Sequence, residues 1–147
     1  MLAATLSPSY GIYSGFENLE NVPVQEGSEE YLDSEKYEAK ERRLDGPLLP
    51  LVKRLNEARR SEPALQRIDN LYWLETENDN LVAYAKGNII VVVNIDPFAV
   101  SEGVCTVPVA LRYPPAFDGQ ELISGQTFTW RAGRNLSLIH ISEPTRH

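Results

Sequence analysis

The sequence predicts two parts of different class, an α/β segment at residues 1–66 followed by an all-β domain at residues 67–135. In the first part a short apolar strand, Tyr10–Tyr13, runs into a long polar loop and then an amphipathic helix. In (β/α) barrels the ligand groups lie on such loops after the strand ends. In the second part short strands alternate with turns, which is typical of an antiparallel sandwich. The predicted fold is therefore the last strand, loop and helix of a barrel, followed by a small β-sandwich domain.

The first part divides into three predicted elements. Residues 1–6 predict the end of a helix, because they are good helix formers and Ser7-Pro8 stops it. The strand at Tyr10–Tyr13 leaves its main-chain groups unpaired unless it has neighbours, which this chain does not contain. Leu44–Arg60 predicts a helix that starts at Asp45-Gly46-Pro47 and has apolar residues at spacings of three and four. The arginines near its end are interpreted as dipole compensation and an aid to solubility.

The second part predicts six strands, at Leu71–Thr76, Leu81–Lys86, Ile89–Ile95, Val104–Val109, Glu121–Ile123 and Thr127–Trp130. Gly87-Asn88 predicts a tight hairpin, since Gly and Asn tolerate the positive φ of two-residue turns. Trp73 and Trp130 are expected to fill the core, with a surface carbohydrate platform as the alternative. Cys105 lies in a predicted strand, so we expect a small buried hydrophobe rather than a nucleophile.

Charge and composition limit the kinds of partner that we expect the chain to bind. The formal net charge is -7, and residues 16–46 hold ten acidic against four basic residues. Such a surface repels phosphate backbones, so we expect no nucleic acid partner. We interpret most of these carboxylates as a solvated loop. No apolar run is long enough to cross a bilayer and no signal segment is present, so we expect a cytoplasmic protein with no membrane partner.

The last twelve residues differ in kind from the sequence before them. Residues 136–147 (LSLIHISEPTRH) resemble the conceptual translation of a sequencing adapter, and we expect the native sequence to diverge after about Asn135. Both histidines of the chain, His140 and His147, lie in this segment. The remaining sequence then lacks the histidine needed for a Ser-His-Asp or Cys-His set or a His-ligated metal. The single Cys105 excludes an internal disulfide. We therefore predict no metal and no cofactor.

Three segments carry a resemblance to a known family. Tyr10–Glu17 (YGIYSGFE) has the form of a strand that enters a tight turn ending in an acid, Arg59–Leu65 (RRSEPAL) is a basic stretch followed by Pro-Ala-Leu, and Ile90–Ile95 is a β-branched strand. These features resemble the C-terminal quarter of the α-amylase superfamily, glycoside hydrolase family 13. Leu2–Val24 and Glu26–Glu38 resemble more closely its α-1,4-glucan:maltose-1-phosphate maltosyltransferases. The resemblance implies the end of a (β/α)8 barrel and a β-sandwich.

The resemblance also implies a reaction. It is the transfer of maltosyl units from α-maltose 1-phosphate to the non-reducing end of an α-1,4-glucan acceptor, with phosphate release and retained anomeric configuration. A retaining mechanism needs two carboxyl groups about 5 Å apart. The family supplies them from earlier barrel strands, which would precede Met1. We therefore assign no catalytic residue here and expect the chain alone to be inactive. The resemblance further implies a homodimer.

Two residues match positions that line the donor maltosyl pocket in the family, Lys36 and Tyr37. A lysine ammonium can donate to several sugar hydroxyls, and a tyrosine offers a flat apolar face with a hydroxyl. Without the resemblance, we would expect Lys36 to form an ion pair with Asp33 or Glu35, and Tyr37 to pack against the following helix. Both interpretations stay open.

Three further residues follow from the same resemblance. Glu17 matches the acid after the eighth strand, and we expect it to be structural, bonding backbone donors at the barrel mouth. Tyr13 and Tyr31 are expected to shape the same rim.

Two alternatives remain from the sequence. Another α-amylase-superfamily member, a glucan hydrolase or a branching enzyme, would share the barrel end and the sandwich but should lack the DSEKY string at Asp33–Tyr37. A stand-alone, non-catalytic glucan-binding module would show clustered surface aromatics on its strands. It would also leave the apolar helix face of residues 1–65 exposed, which is unfavourable for an independent domain.

Overall fold

The computed structural model describes residues 1–32 and 39–139, and this part of the chain is mostly β. Within these ranges the α-helices are α1 (Leu2–Leu6) and α2 (Leu49–Ser61). The strands are β1 (Leu71–Thr76), β2 (Leu81–Lys86), β3 (Ile89–Asn94), β4 (Ser101–Val107), β5 (Ala116–Gln120), β6 (Thr127–Arg131) and β7 (Gly133–Ile139). They form an antiparallel five-stranded sheet and a separate two-stranded sheet, which is consistent with a β-sandwich domain.

The five-stranded sheet has the order β3-β2-β1-β4-β7 and consists of two well-paired groups joined by a short seam. β2 pairs with β3 along its whole length, and β4 pairs with β7 from Ser101 to Val107. Between the groups, the ladder between β1 and β4 consists of two residue pairs, Glu75–Thr106 and Thr76–Cys105. β5 and β6 form a hairpin that lies between β4 and β7 in the sequence.

One face of the sheet carries the core. Leu74, Ala83, Ala85 and Cys105 are buried together there, and Ile90, Val92, Leu111 and Trp130 pack against them. Alternate residues of a strand point to opposite faces, which places Leu74 on β1 opposite Ala83 on β2. Burial raises the pKa of the Cys105 thiol to about 11, so the thiol is protonated at neutral pH. The predictions for Cys105 and Trp130 are confirmed.

The prediction for Trp73 is wrong. Its side chain is 58% exposed. Leu74 takes the core position on β1, so Trp73 lies on the opposite face, beside its cross-strand partner Tyr84. The two rings meet edge to face with centroids 5.4 Å apart. The Tyr84 hydroxyl contacts the Thr5 hydroxyl of α1, so this second face of the sheet is turned toward the helical segment.

The segment before α2 differs from the prediction in two places. Tyr10–Tyr13 does not form a strand, because no strand among the described residues pairs with its main chain. α2 begins after Leu48, with Pro50 in its first turn, and not at Asp45-Gly46-Pro47. It ends at Ser61, before Pro63, as expected. α1 is also confirmed. The assignment of this segment to the end of a barrel stays a prediction.

The strands beyond β3 were predicted less well. Residues 121–123 form the connection between β5 and β6, where the Gly125 N–H donates to the Glu121 carbonyl at 2.8 Å. The prediction of a strand there is wrong. Asp-Gly is a common turn sequence, but Asp118-Gly119 is part of β5, and the chain turns after it instead. β7 was not predicted, and its last four residues, 136–139, belong to the segment that resembles an adapter. In the described part of the chain, neither α-helix has the length and apolar character needed to cross a bilayer.

Candidate functional site

The two residues predicted to bind the donor, Lys36 and Tyr37, fall within residues 33–38 and so lie outside the described residues. Their assignment stays a prediction. The structure describes the chain on both sides of this gap, and we call residues 14–47 the acidic loop. The candidate site is defined by the residues that frame the gap.

An ion pair joins the two sides of the acidic loop. The chain turns at Gly15, where φ is 98°, into one turn of 3-10 helix at Phe16–Asn18. Arg42, from beyond the gap, donates from Nε to both carboxylate oxygens of Glu20 at 3.2 and 3.1 Å. It also donates from Nη1 to Ser14 Oγ at 3.3 Å. The hydrogen bond from Arg42 lowers the pKa of Glu20, which keeps the carboxylate ionised at neutral pH.

The predicted rim residues Tyr13 and Tyr31 lie together. Residues 22–32 form a narrow turn-back in which the Leu32 N–H donates to the Val22 carbonyl at 2.7 Å. This brings the Tyr31 ring against Tyr13, with centroids 6.1 Å apart and planes tilted by 58°. Both rings are exposed. Since a tyrosine combines an apolar body with a polar tip, the pair offers a surface suited to a ligand with both characters.

Glu17 supports the loop through its main chain. Its carbonyl accepts a hydrogen bond from the Leu48 N–H, the residue that begins α2, at 3.1 Å. Gly46 lies directly against this carbonyl and the Asn18 side chain, where a Cβ would overlap both. Among the described residues the Glu17 carboxylate forms no hydrogen bond, and its bonds to backbone donors at a barrel mouth stay a prediction.

An open depression of about 530 Å³ lies beside the Glu20–Arg42 pair. Its lining residues are Asn18, Glu20, Lys40, Glu41, Arg42, Arg43, Asp45, Gly46 and Pro47. Both basic donors and carboxylate acceptors line it, which suits a ligand with many hydroxyl groups better than an apolar one. Within residues 1–32 and 39–139, no group of three or more His, Cys, Asp or Glu side chains could hold a metal ion.

Two cationic side chains hold the segment that leads into the acidic loop. We call Ala4–Tyr10 the entry segment. Arg59 of α2 donates to the carbonyls of Ala4, of Ser7 at 2.9 Å and of Pro8 at 2.6 Å. Its guanidinium also lies over the Tyr10 ring, 4.9 Å from the centroid. Arg59 was interpreted as dipole compensation and an aid to solubility, and the structure assigns it specific main-chain partners instead.

The second cation, Lys86, was not singled out in the sequence. It is fully buried at the end of β2. Its ammonium donates to the carbonyls of Thr5 and Leu6, each at 3.2 Å, and of Arg67 at 2.5 Å. Desolvation, and then the nearby charge of Arg59, lower the pKa of Lys86. The available signal was its position, since a lysine two residues after Tyr84 shares the face of the strand that is turned toward α1.

Comparisons with known proteins agree with one another over most of the chain. A family model described as GLGE, C-terminal matches residues 73–146. The protein named alpha-1,4-glucan:maltose-1-phosphate maltosyltransferase 2 of Streptomyces coelicolor is 44% identical over 143 residues. The proteins named alpha-1,4-glucan:maltose-1-phosphate maltosyltransferase of Corynebacterium glutamicum and Mycobacterium tuberculosis H37Rv are 39% and 36% identical over 144 and 145 residues. Each match covers 88% of this chain and 21% of the relative. The chain thus spans about one fifth of the length of these curated relatives.

Proposed function

The chain belongs to the family described as GLGE, C-terminal, and on this premise we propose that it is the C-terminal part of a maltosyltransferase. The proposed enzyme moves maltosyl units from α-maltose 1-phosphate to the non-reducing end of α-1,4-glucans, with retention of configuration. The observation that carries the proposal is the match of 88% of the chain to relatives that bear this name.

In the proposed enzyme, residues 1–66 complete the catalytic barrel and residues 67–135 form the β-sandwich. The two catalytic carboxyl groups of a retaining mechanism come from residues before Met1. This chain contributes the acidic loop, on which Lys36 and Tyr37 contact the donor. The Glu20–Arg42 pair supports this role, because it closes the loop across residues 33–38. We further propose that the enzyme is a cytoplasmic homodimer.

The aromatic side chains of the sheet favour this proposal over a stand-alone glucan-binding module. Tyr72 and Trp73 are both exposed, but they are neighbours on β1 and therefore point to opposite faces. Phe128 is exposed on β6, in the separate two-stranded sheet. These rings do not share one face, so they do not form the single platform that a stacked glucan chain requires.

A chimeric enzyme tests the proposal. In the Streptomyces coelicolor relative, the matching C-terminal fifth is replaced by residues 1–135 of this chain, and phosphate release from α-maltose 1-phosphate is measured with a maltooligosaccharide acceptor. We expect release by the chimera, and none by the 147-residue chain alone or by the relative truncated before the replaced region.

Two outcomes would contradict the proposal. A folded chimera that releases no phosphate would show that this chain does not complete a maltosyltransferase, and would favour another member of the superfamily. Phosphate release by the isolated 147-residue chain would show that the catalytic carboxyl groups lie within it.

A further inference from the structure

Five consecutive main-chain carbonyls, those of residues 4–8, all accept hydrogen bonds from side-chain cations. Arg59 binds the first, fourth and fifth, and Lys86 binds the second and third. A helix end leaves its last carbonyls without partners, and water or a capping residue usually satisfies them. Here two basic residues distant in sequence do so, and we call this arrangement the cation clamp.

The donors and acceptors of the cation clamp match one another. A lysine ammonium has three N–H donors, and those of Lys86 have three carbonyl acceptors, including that of Arg67. In the described part of the chain, neither Arg59 nor Lys86 forms an ion pair with a carboxylate. A buried cation without a counterion is costly unless oriented dipoles replace its water. The carbonyls of the entry segment provide these dipoles, so displacing the segment would leave the Lys86 charge uncompensated.

The cation clamp fixes the entry segment against two different elements. Arg59 belongs to α2 and Lys86 to β2. The hydroxyl of Tyr10 adds a contact to α2 by donating to Asn56 Oδ1 at 2.5 Å. Thr5 adds a contact to β2 through the hydroxyl of Tyr84, also at 2.5 Å. The acidic loop starts four residues after Tyr10, so these contacts also determine where its first turn lies.

We propose that Arg59 and Lys86 are positioning residues that set where the acidic loop begins relative to the sheet. We infer further that the position of the loop set in this way affects binding of the maltosyl donor, and this second part rests on the proposed function. The residues act through the main chain of the entry segment and do not themselves contact substrate.

Hydrogen exchange on the full chain tests the first part. The variant is Arg59→Gln, with Arg60→Gln as the matched control, because Arg60 is the adjacent exposed arginine outside the cation clamp. We expect the amides of Phe16, Leu19 and Glu20, which are hydrogen-bonded in the first turn of the loop, to exchange about tenfold faster in Arg59→Gln. The amides of the β2–β3 pairing should keep their rates. Arg60→Gln should change neither group.

Two results would overturn the positioning role. One is unchanged exchange of the loop amides in Arg59→Gln. The other is an equal acceleration of loop and sheet amides, which would mean that Arg59 supports global stability only. Lys86→Met provides a second variant that removes the other half of the cation clamp. Because Lys86 also pairs with Ile89 in the sheet, both groups of amides should exchange faster, and we expect the loop amides to accelerate more than the β2–β3 amides.

Kinetics in the chimeric enzyme test the second part. We expect Arg59→Gln to raise KM for maltose 1-phosphate about tenfold while kcat changes less than twofold, and Arg60→Gln to alter neither. If the loop amides respond but KM does not, the link to donor binding is overturned while the positioning of the loop stands. If the chimera with unaltered residues has no activity, the proposed function fails, and the exchange result remains valid independently.

Discussion

The entry segment and the sheet satisfy their main-chain carbonyls in opposite ways. In the sheet, strands pair with strands, and β2 and β3 alone share six residue pairs. The carbonyls of the entry segment depend on two side chains, Arg59 and Lys86. Periodic pairing distributes stability over many residues, whereas side-chain pairing concentrates it in a few. Single substitutions should therefore affect the loop region more than most positions on the sheet.

The largest expected effect is at Lys86, the residue that joins the two regions. Lys86→Met should lower the free energy of unfolding by about 3 kcal/mol, because it leaves buried carbonyls without donors. Lys53→Met, an exposed lysine on α2, should change it by less than about 0.5 kcal/mol. Urea denaturation of both variants measures the difference. Equal stability of the two variants would show that water can replace the ammonium.

The buried thiol on the core face of the sheet should make the stability of the fold depend on pH in the alkaline range. The folded-state pKa of Cys105 is raised from about 9 to about 11, so above pH 9 the unfolded state loses its proton first. Stability should therefore fall by roughly 2–3 kcal/mol as the pH rises from 9 to 11. Burial also raises the pKa of Tyr84 and of Tyr113, which act in the same direction at higher pH.

Two variants separate the contributions to this pH dependence. Cys105→Ala should flatten the fall in stability between pH 9 and 11. Lys86→Met should steepen it, because the lowered folded-state pKa of Lys86 makes the unfolded state the stronger proton binder, which by itself raises stability with pH. Denaturation at a series of pH values checks both slopes, and identical slopes in the two variants would contradict the assignment.

A smaller effect is expected at the first turn of the acidic loop. Gly15→Ala should cost about 2 kcal/mol, because φ is 98° and the new Cβ would collide with the Glu20–Arg42 pair. Gly27→Ala is the matched control, since Gly27 also has positive φ, 77°, but faces open space. The difference between the two variants in thermal unfolding separates the cost of the collision from the cost of the backbone strain. An equal cost would show that the pair moves aside freely.

The smallest expected effect is on one carboxyl group. Arg42→Gln should raise the pKa of Glu20 back toward its ordinary range, since Arg42 is the main cause of its lowering. In the unsubstituted chain the contribution of this pair is therefore present above the ordinary pKa of a glutamate and is lost as the pH falls through the lowered value. Carboxyl NMR titration measures the shift, with Lys40→Gln as the control for a more distant charge. An unchanged Glu20 titration in Arg42→Gln would refute the pairing.

Features that depend on local pairing could be predicted from the sequence, whereas contacts between distant residues could not. The hairpin at Leu81–Asn94 was predicted because its apolar pattern and Gly87-Asn88 turn are local signals. Trp73 was misplaced because the sequence does not say which of two alternating faces is the core. Lys86 was missed because its acceptors include Thr5, more than eighty residues earlier. A role that depends on distant main-chain carbonyls leaves no local pattern.

The short seam between β1 and β4 has a consequence for the order of folding. On one side of it β1, β2 and β3 are connected by tight turns and pair with close neighbours in sequence. On the other side β4 and β7 enclose the β5–β6 hairpin, so that hairpin must close before they can meet without a long, costly loop. We expect the sheet to assemble as two separately nucleated units, with Glu75–Thr106 and Thr76–Cys105 as the last contacts to form and the first to break.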